Sequence, residues 1–130
     1  MNSTQEKTDL SFRDGILRIR FHEGAVVEVE DVIYLFCYGI GQSKGQPYGV
    51  LFDSSSRHEF TEEAIVYFSD SHYLDQVLAI AYISRDLISR IRLSLLLIFE
   101  NPPVKPEIFG DEQLAYTWLK GKLPALTPES

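Results

Sequence analysis

The sequence predicts one α/β domain: a mixed sheet with an N-terminal β-hairpin and helical crossovers. Two alternating runs flank Asp14-Gly15, a pair suited to the positive φ angles of a tight hairpin turn. The unbroken apolar run Val77 to Ile83 reads as a central strand covered on both faces. Between and after these segments, apolar residues recur at helical spacing. Strands alternating with helices imply parallel pairing through right-handed crossovers.

Residues 1–8 are polar and are expected to fray. Leu10 and Phe12 line one side of the first run. In the second, Leu17, Ile19 and Phe21 alternate with Arg18 and Arg20, as in a half-buried strand. From Val29 the period lengthens, and Val29, Ile33, Phe36, Cys37 and Ile40 trace one helical stripe that ends near Gly39, Gly41 and Gly45. Its β-branched and aromatic content leaves a strand as the alternative there. Tyr48 to Phe52 reads as a strand. Thr61 suits a helix N-cap, with Phe60 and Ile65 placed as a hydrophobic staple across it, so a helix is expected from Glu62 to Phe68 or slightly beyond.

SDSHYLD reads as an irregular join. Leu87, Ile88, Ile91, Leu95 and Ile98 then form a helical stripe that Asn101-Pro102-Pro103 ends. Glu107 to Phe109 suits a short edge strand. Asp111 is expected to cap a last helix carrying Leu114, Ala115, Trp118 and Leu119 inward. The domain spans 9–123, and the tail 124–130 reads as loose. The Asp86–Phe99 helix also carries Leu93, Leu96 and Leu97, more apolar surface than one face buries. Self-association as a two-fold dimer is therefore expected, through that helix or through an uncovered sheet edge. The alternative is that residues 101–105 and the last helix cover the excess.

The 130 residues suffice for a core without disulfides or metal, and 45% apolar with 24% charged residues is a globular composition. Cys37 is the only cysteine, which excludes an intrachain disulfide and fits a reducing compartment. The start MNSTQEKTDLSF lacks the basic and apolar regions of a signal peptide, and no apolar run is long enough to span a bilayer. A cytoplasmic protein with no membrane insertion is expected. A net charge of −7 disfavours nucleic acid as a partner, although many of the acids fall near helix starts, where they suit the helix dipole.

Catalytic patterns do not emerge. GIGQSKG follows a helix, whereas a phosphate-binding loop precedes one, so it reads as a helix stop. His22, His58 and His72 are isolated in sequence and offer no metal-ligand spacing. Cys37, on the apolar stripe, reads as a core thiol, and Trp118 as core. Glu62 and Glu63 diverge by about 100° on a helix and make no acid–base pair. Arg85, Arg90 and Arg92 suit a solvated helix face, with an acidic partner surface as the alternative. No enzyme, metal or cofactor is expected.

The segment LFDSSSRHEFTEEA holds the candidate site: Asp53, Ser54, Ser55, Ser56, Arg57 and His58. The serines suit turn capping. His58 reads as a solvated loop residue unless the loop is functional.

YGVLFDSSSRHEFTEEA, VLAIAYISRDLISRIRLSLLLIFENP and PEIFGDEQLAYTWL together resemble the SpoIIAA-like, STAS-type domains. The last segment is similar to the closing strand and helix of small, uncharacterised bacterial members. There is additional distant similarity to the lipid-binding CRAL-TRIO group. The resemblance covers nearly the whole chain and implies a SpoIIAA-like fold.

In regulatory STAS proteins a partner kinase phosphorylates a serine after the third strand, within Asp-Ser-Ser/Thr-Gly-Leu, and so controls partner binding. Asp53-Ser54-Ser55 resembles the first three positions, and Ser56-Arg57 replaces Gly-Leu. The implied function is a regulatory protein-interaction domain switched at Ser54–Ser56. The alternative is a module for a small apolar or amphipathic ligand, supported by the CRAL-TRIO similarity and by eight Phe, seven Tyr and one Trp.

Overall fold

The computed structural model describes residues 4–53, 58–70, 72–84, 104 and 106–123. In chain order these form α1 (Thr4–Lys7), β1 (Thr8–Arg13), β2 (Ile16–Phe21), β3 (Ala25–Val27), α2 (Val29–Ser43), β4 (Tyr48–Asp53) and β5 (His58–Phe60). There follow α3 (Glu62–Asp70), a 3₁₀ turn (His72–Gln76), β6 (Val77–Ile83), β7 (Glu107–Phe109) and α4 (Glu112–Lys122).

Asp14 and Gly15 take φ of 57° and 78°, the left-handed values of a two-residue hairpin turn, and Arg13 pairs with Ile16 across it. β2, β4, β6 and β7 continue the sheet in parallel, giving the order β1-β2-β4-β6-β7. All six residues of β4, the middle strand, are buried. On one face Leu17, Ile19, Phe21, Val50, Phe52 and Ile80 pack with Val32, Leu35 and Phe36 of α2 and Ala64 of α3. On the other, Ile16, Leu51, Ala79, Ala81 and Ile83 pack with Ala115 and Leu119 of α4. The fold is a sheet between two helical layers, the mixed α/β architecture expected of a SpoIIAA-like domain.

Several local expectations hold. The Ala64 amide donates to the Thr61 hydroxyl at 3.1 Å, so Thr61 caps α3. The GIGQSKG segment ends α2: Lys44 is left-handed, and the Gly45 amide donates to the Ile40 carbonyl at 3.1 Å. Glu107–Phe109 is an edge strand on β6.

Others are corrected. The buried face of α2 is Val32, Leu35, Phe36 and Gly39, one residue out of phase with the expected stripe, and Cys37 is exposed rather than a core thiol. Gly39 sets this phase. A Cβ there would lie 2.7–2.8 Å from two ring carbons and the hydroxyl oxygen of Tyr48, so only glycine admits the tyrosine. Leu114 is 61% exposed rather than inward, and Trp118 is half-buried, with its ring 5.6 Å from that of Phe109.

The expected fraying stops by Thr4. Thr4 is buried, its hydroxyl donates to Asp31, and Lys7 Nζ lies 2.6 Å from Asp31 Oδ2. Burial pushes the Asp31 carboxyl up. The hydrogen bonds from Lys7, Thr4 and the Glu28 amide, with the Lys7 charge, outweigh it and hold the group below its ordinary value. The expected Asp86–Phe99 helix, its arginines and leucines, and the tail 124–130 lie outside the described residues. Among those described, no helix is long and apolar enough to cross a membrane.

Candidate functional site

Parallel strands align their carboxyl ends, and in open α/β sheets ligands and partners meet the protein there. β2, β4 and β6 end together at Phe21, Asp53 and Ile83. Asp53 closes the central strand and is only 4% exposed. A carboxylate so buried needs a cation or several donors. Arg18 supplies one: its Nη2 lies 3.3 Å from Asp53 Oδ2.

The register explains the contact. Arg18 pairs with Leu51 and Arg20 with Asp53, so Arg18 and Asp53 are diagonal neighbours on the face that α4 covers. Glu112, the first residue of α4, completes the cluster. Arg18 donates through Nε to Glu112 Oε2 at 2.7 Å and through Nη2 to Glu112 Oε1 at 3.0 Å. That two-point grip fixes the guanidinium plane and ties the start of α4 to the end of β4. Arg18 keeps 30% of its side chain exposed and Glu112 41%, so the cluster lies at the surface with Asp53 beneath it.

β3 and β5 add a second, two-stranded parallel sheet at the same end, tied to α3 where the Thr61 amide donates to the Val27 carbonyl at 3.0 Å. His58 lies in β5, not in a solvated loop. Its ring stacks on Phe21 at 4.3 Å and 17°, and Phe60 meets Phe21 edge-on at 5.5 Å. Asp53 and His58 thus fix the two ends of the expected loop site, while Ser54, Ser55, Ser56 and Arg57 lie outside the described residues.

The other histidines do not join this site in any described contact. His22 Nδ1 donates to the Glu6 carbonyl at 2.7 Å, its Nε2 lies 3.0 Å from Asp9 Oδ1, and the side chain of His72 lies outside the described residues. The Asp9 bond, then that to Glu6, raises the His22 pKa. No group of three or more His, Cys, Asp or Glu able to hold a metal occurs among the described residues.

Between the sheet and the helices lies an apolar hollow lined by Leu17, Ile19, Val32, Leu35, Phe36, Val50, Phe52, Phe60 and Phe68. Its free space is about that of one water molecule, far below that of a lipid.

Sequence reading placed Asp53 in the site but not Arg18 or Glu112. Arg18 passed as the outward residue of a half-buried strand and Glu112 as a helix-dipole acid. The available signal was an arginine on a strand next to the sheet centre, where both faces are covered.

A family model described as "Domain of unknown function (DUF7793)" matches residues 10–122. Among solved structures, an uncharacterised protein of the DUF3478 family with a SpoIIAA-like fold, from Shewanella loihica PV-4, is similar at a TM-score of 0.61. It shares 14% identity, over 86% of this chain and 91% of that one, and so shows the fold. A protein of unknown function from Arthrobacter sp. FB24 is 22% identical over 92% of this chain and all of that one, with a TM-score of 0.32 that supports no structural argument. No curated protein matches the chain.

Proposed function

The chain belongs to the DUF7793 family and has a SpoIIAA-like fold, and from that premise we propose that it is a non-enzymatic, regulatory protein-interaction domain. Its partner-facing surface is the carboxyl end of the sheet around Asp53, Arg18 and Glu112. The observation that supports this is the grip of Arg18 on both carboxylates, which pairs buried Asp53 with a cation and leaves a partly exposed guanidinium at the end of β4.

This arrangement suits recognition better than turnover. Glu112 holds the arginine at two points, and Asp53 is an ion-pair partner, so each described charge in the cluster has an electrostatic role. A phosphate on Ser54 or Ser55 would bring about −1.5 to −2 charge next to Asp53. It would compete with Glu112 for Arg18 and loosen the tie between β4 and α4. That is a route from one modified serine to a changed surface.

Intact mass and phosphopeptide mapping of protein from its native cells test the switch. Phosphate on Ser54, Ser55 or Ser56 under some growth condition is expected. Serines unmodified under every condition would remove the switch. Partner capture with Arg18→Met then tests the surface: a partner retained by wild type and released by this variant is expected, and equal retention would refute it.

The second reading, a module for a small apolar ligand, draws on the hollow lined by Phe36, Phe52, Phe60 and Phe68. It requires that hollow to widen on binding. A ligand retained in native mass spectrometry after gentle purification would support it, and a ligand-free mass would count against it.

A further inference from the structure

β1 is an outer strand of the five-stranded sheet, and no strand pairs with its free side among the described residues. Its hydrogen-bonding parity follows from the hairpin. The two-residue turn closes on Arg13 and Ile16, and the His22 amide donates to the Lys7 carbonyl at 2.8 Å. The odd-numbered residues therefore bond to β2. Leu10 and Phe12 turn their amides and carbonyls outward, away from it. Open edges of this kind template further pairing.

We propose that a second copy of this chain pairs antiparallel with β1 about a two-fold axis at Ser11, joining the two five-stranded sheets into one. Parity and charge select this register. Outward-bonding residues must face each other, so Leu10 must oppose an even-numbered residue of the other copy. With the axis at Ser11, Leu10 of each copy faces Phe12 of the other, and the two pairs form four backbone hydrogen bonds.

The same axis sets Asp9 of each copy opposite Arg13 of the other, giving two opposite-charge pairs on the α4 face. Shifting the axis to Leu10 would set Asp9 against Ser11 and leave Arg13 without an acid. Charges on an edge strand usually prevent pairing. Here the two-fold relation makes them complementary.

The side chains suit this. Asp9, Ser11 and Arg13 are exposed, and Leu10 and Phe12 are half-buried against the core, so pairing would cover apolar surface that one copy leaves open. Asp9 uses Oδ1 for His22, with its side chain still 65% exposed. Arg13 also lies close to the Tyr116 side chain, but a guanidinium has five donors. The interface stands independently of the Asp53 surface.

Cross-linking of the full chain tests the axis. Cys37 is exposed and is replaced by serine so that an introduced thiol is the only one. Ser11→Cys would face its own copy across a non-hydrogen-bonded pair at a Cα separation of about 4.5 Å, within disulfide range. Mild oxidation should give a covalent dimer of twice the 14.9 kDa chain mass. Arg20→Cys, exposed on β2 and three strand spacings, at least roughly 14 Å, from its copy, should stay monomeric under the same conditions.

Sedimentation equilibrium of the reduced proteins tests the charges. Asp9→Lys or Arg13→Glu should weaken the dimer at least tenfold, and the two together should restore it to within threefold of wild type. Far-UV circular dichroism checks that each variant is folded, and if one is not, the cross-linking result decides alone. A monomer at every concentration up to about 100 µM, failure of Ser11→Cys to cross-link selectively, or a dimer unchanged by both single charge reversals would overturn the proposal.

Discussion

Tyr48 begins β4 with none of its surface exposed, and its hydroxyl is a buried polar atom with no hydrogen-bond partner among the described residues. Burial, with a smaller contribution from Cys37, pushes its pKa up to about 12, so it stays neutral at physiological pH. A buried hydroxyl without a partner costs about 1–3 kcal/mol. Tyr48→Phe removes that cost and leaves a gap of one oxygen atom. The expected result is a gain of about 1 kcal/mol, or roughly 4 °C in Tm for a domain of this size.

Gly39→Ala strikes the same ring from the other side. Alanine favours a helix over glycine by about 1 kcal/mol. Its Cβ would fall 2.7 Å from both Cζ and the hydroxyl oxygen of Tyr48 and 2.8 Å from Cε2, on a ring enclosed by core. Overpacking of this kind costs up to about 3 kcal/mol, so the net loss is about 2 kcal/mol.

Combining the changes removes the hydroxyl contact but not those to the ring carbons. A coupling of about 0.5–1 kcal/mol is expected from the four proteins of the cycle, measured by urea unfolding. A Tyr48→Phe variant less stable than wild type by more than about 1 kcal/mol would show that the hydroxyl has a partner. A stabilised Gly39→Ala would show that the ring yields, and either result would refute the reasoning.

Acid stability should follow Asp31. Its folded pKa lies below the ordinary 3.8, so its contribution is present above that value and is lost as pH falls through the folded one. Urea midpoints should drop as pH falls below that ordinary value, and Lys7→Met should flatten that limb while costing about 2 kcal/mol at neutral pH, a figure reduced because Lys7 is 20% exposed. Leu119→Ala, at a side chain with no exposed surface, should cost about 3 kcal/mol, whereas Leu114→Ala at 61% exposure should fall within about 0.5 kcal/mol of wild type. Equal losses at both positions would mean that α4 turns a different face to the sheet.

What could be read in the sequence was set by locality. Asp14-Gly15 specifies its turn through the backbone preferences of two adjacent residues, and Val77–Ile83 is legible as a covered strand from seven consecutive apolar side chains, five of which are buried while Leu78 is exposed. The cap at Thr61 and the stop after Ser43 are likewise local. β3 and β5 are three residues each and pair with one another across 33 positions, so neither has a period to detect. α2 was legible as a helix but not in phase. Its inward face includes Gly39, which apolar counting ignores, and that face is chosen by Tyr48 from a later strand.

The site fails to show for a related reason. Asp53, Arg18 and Glu112 lie 35 and 94 positions apart, and each has an adequate local explanation. The contradiction appears only when strand parity is combined with topology. Ile16, Arg18 and Arg20 share one face of β2. In an isolated hairpin that face would be solvated, and arginine there would need no account. In this sheet β2 lies beside the central strand, α4 covers the same face, and Ile16 is buried on it. Arg18 is therefore a cation under a helix, and it is satisfied by one carboxylate from the strand beneath and one from the helix above. Once helices are expected on both sides of a sheet, a charge on the outward parity of an inner strand needs a partner, and looking for that partner leads to Asp53 and Glu112.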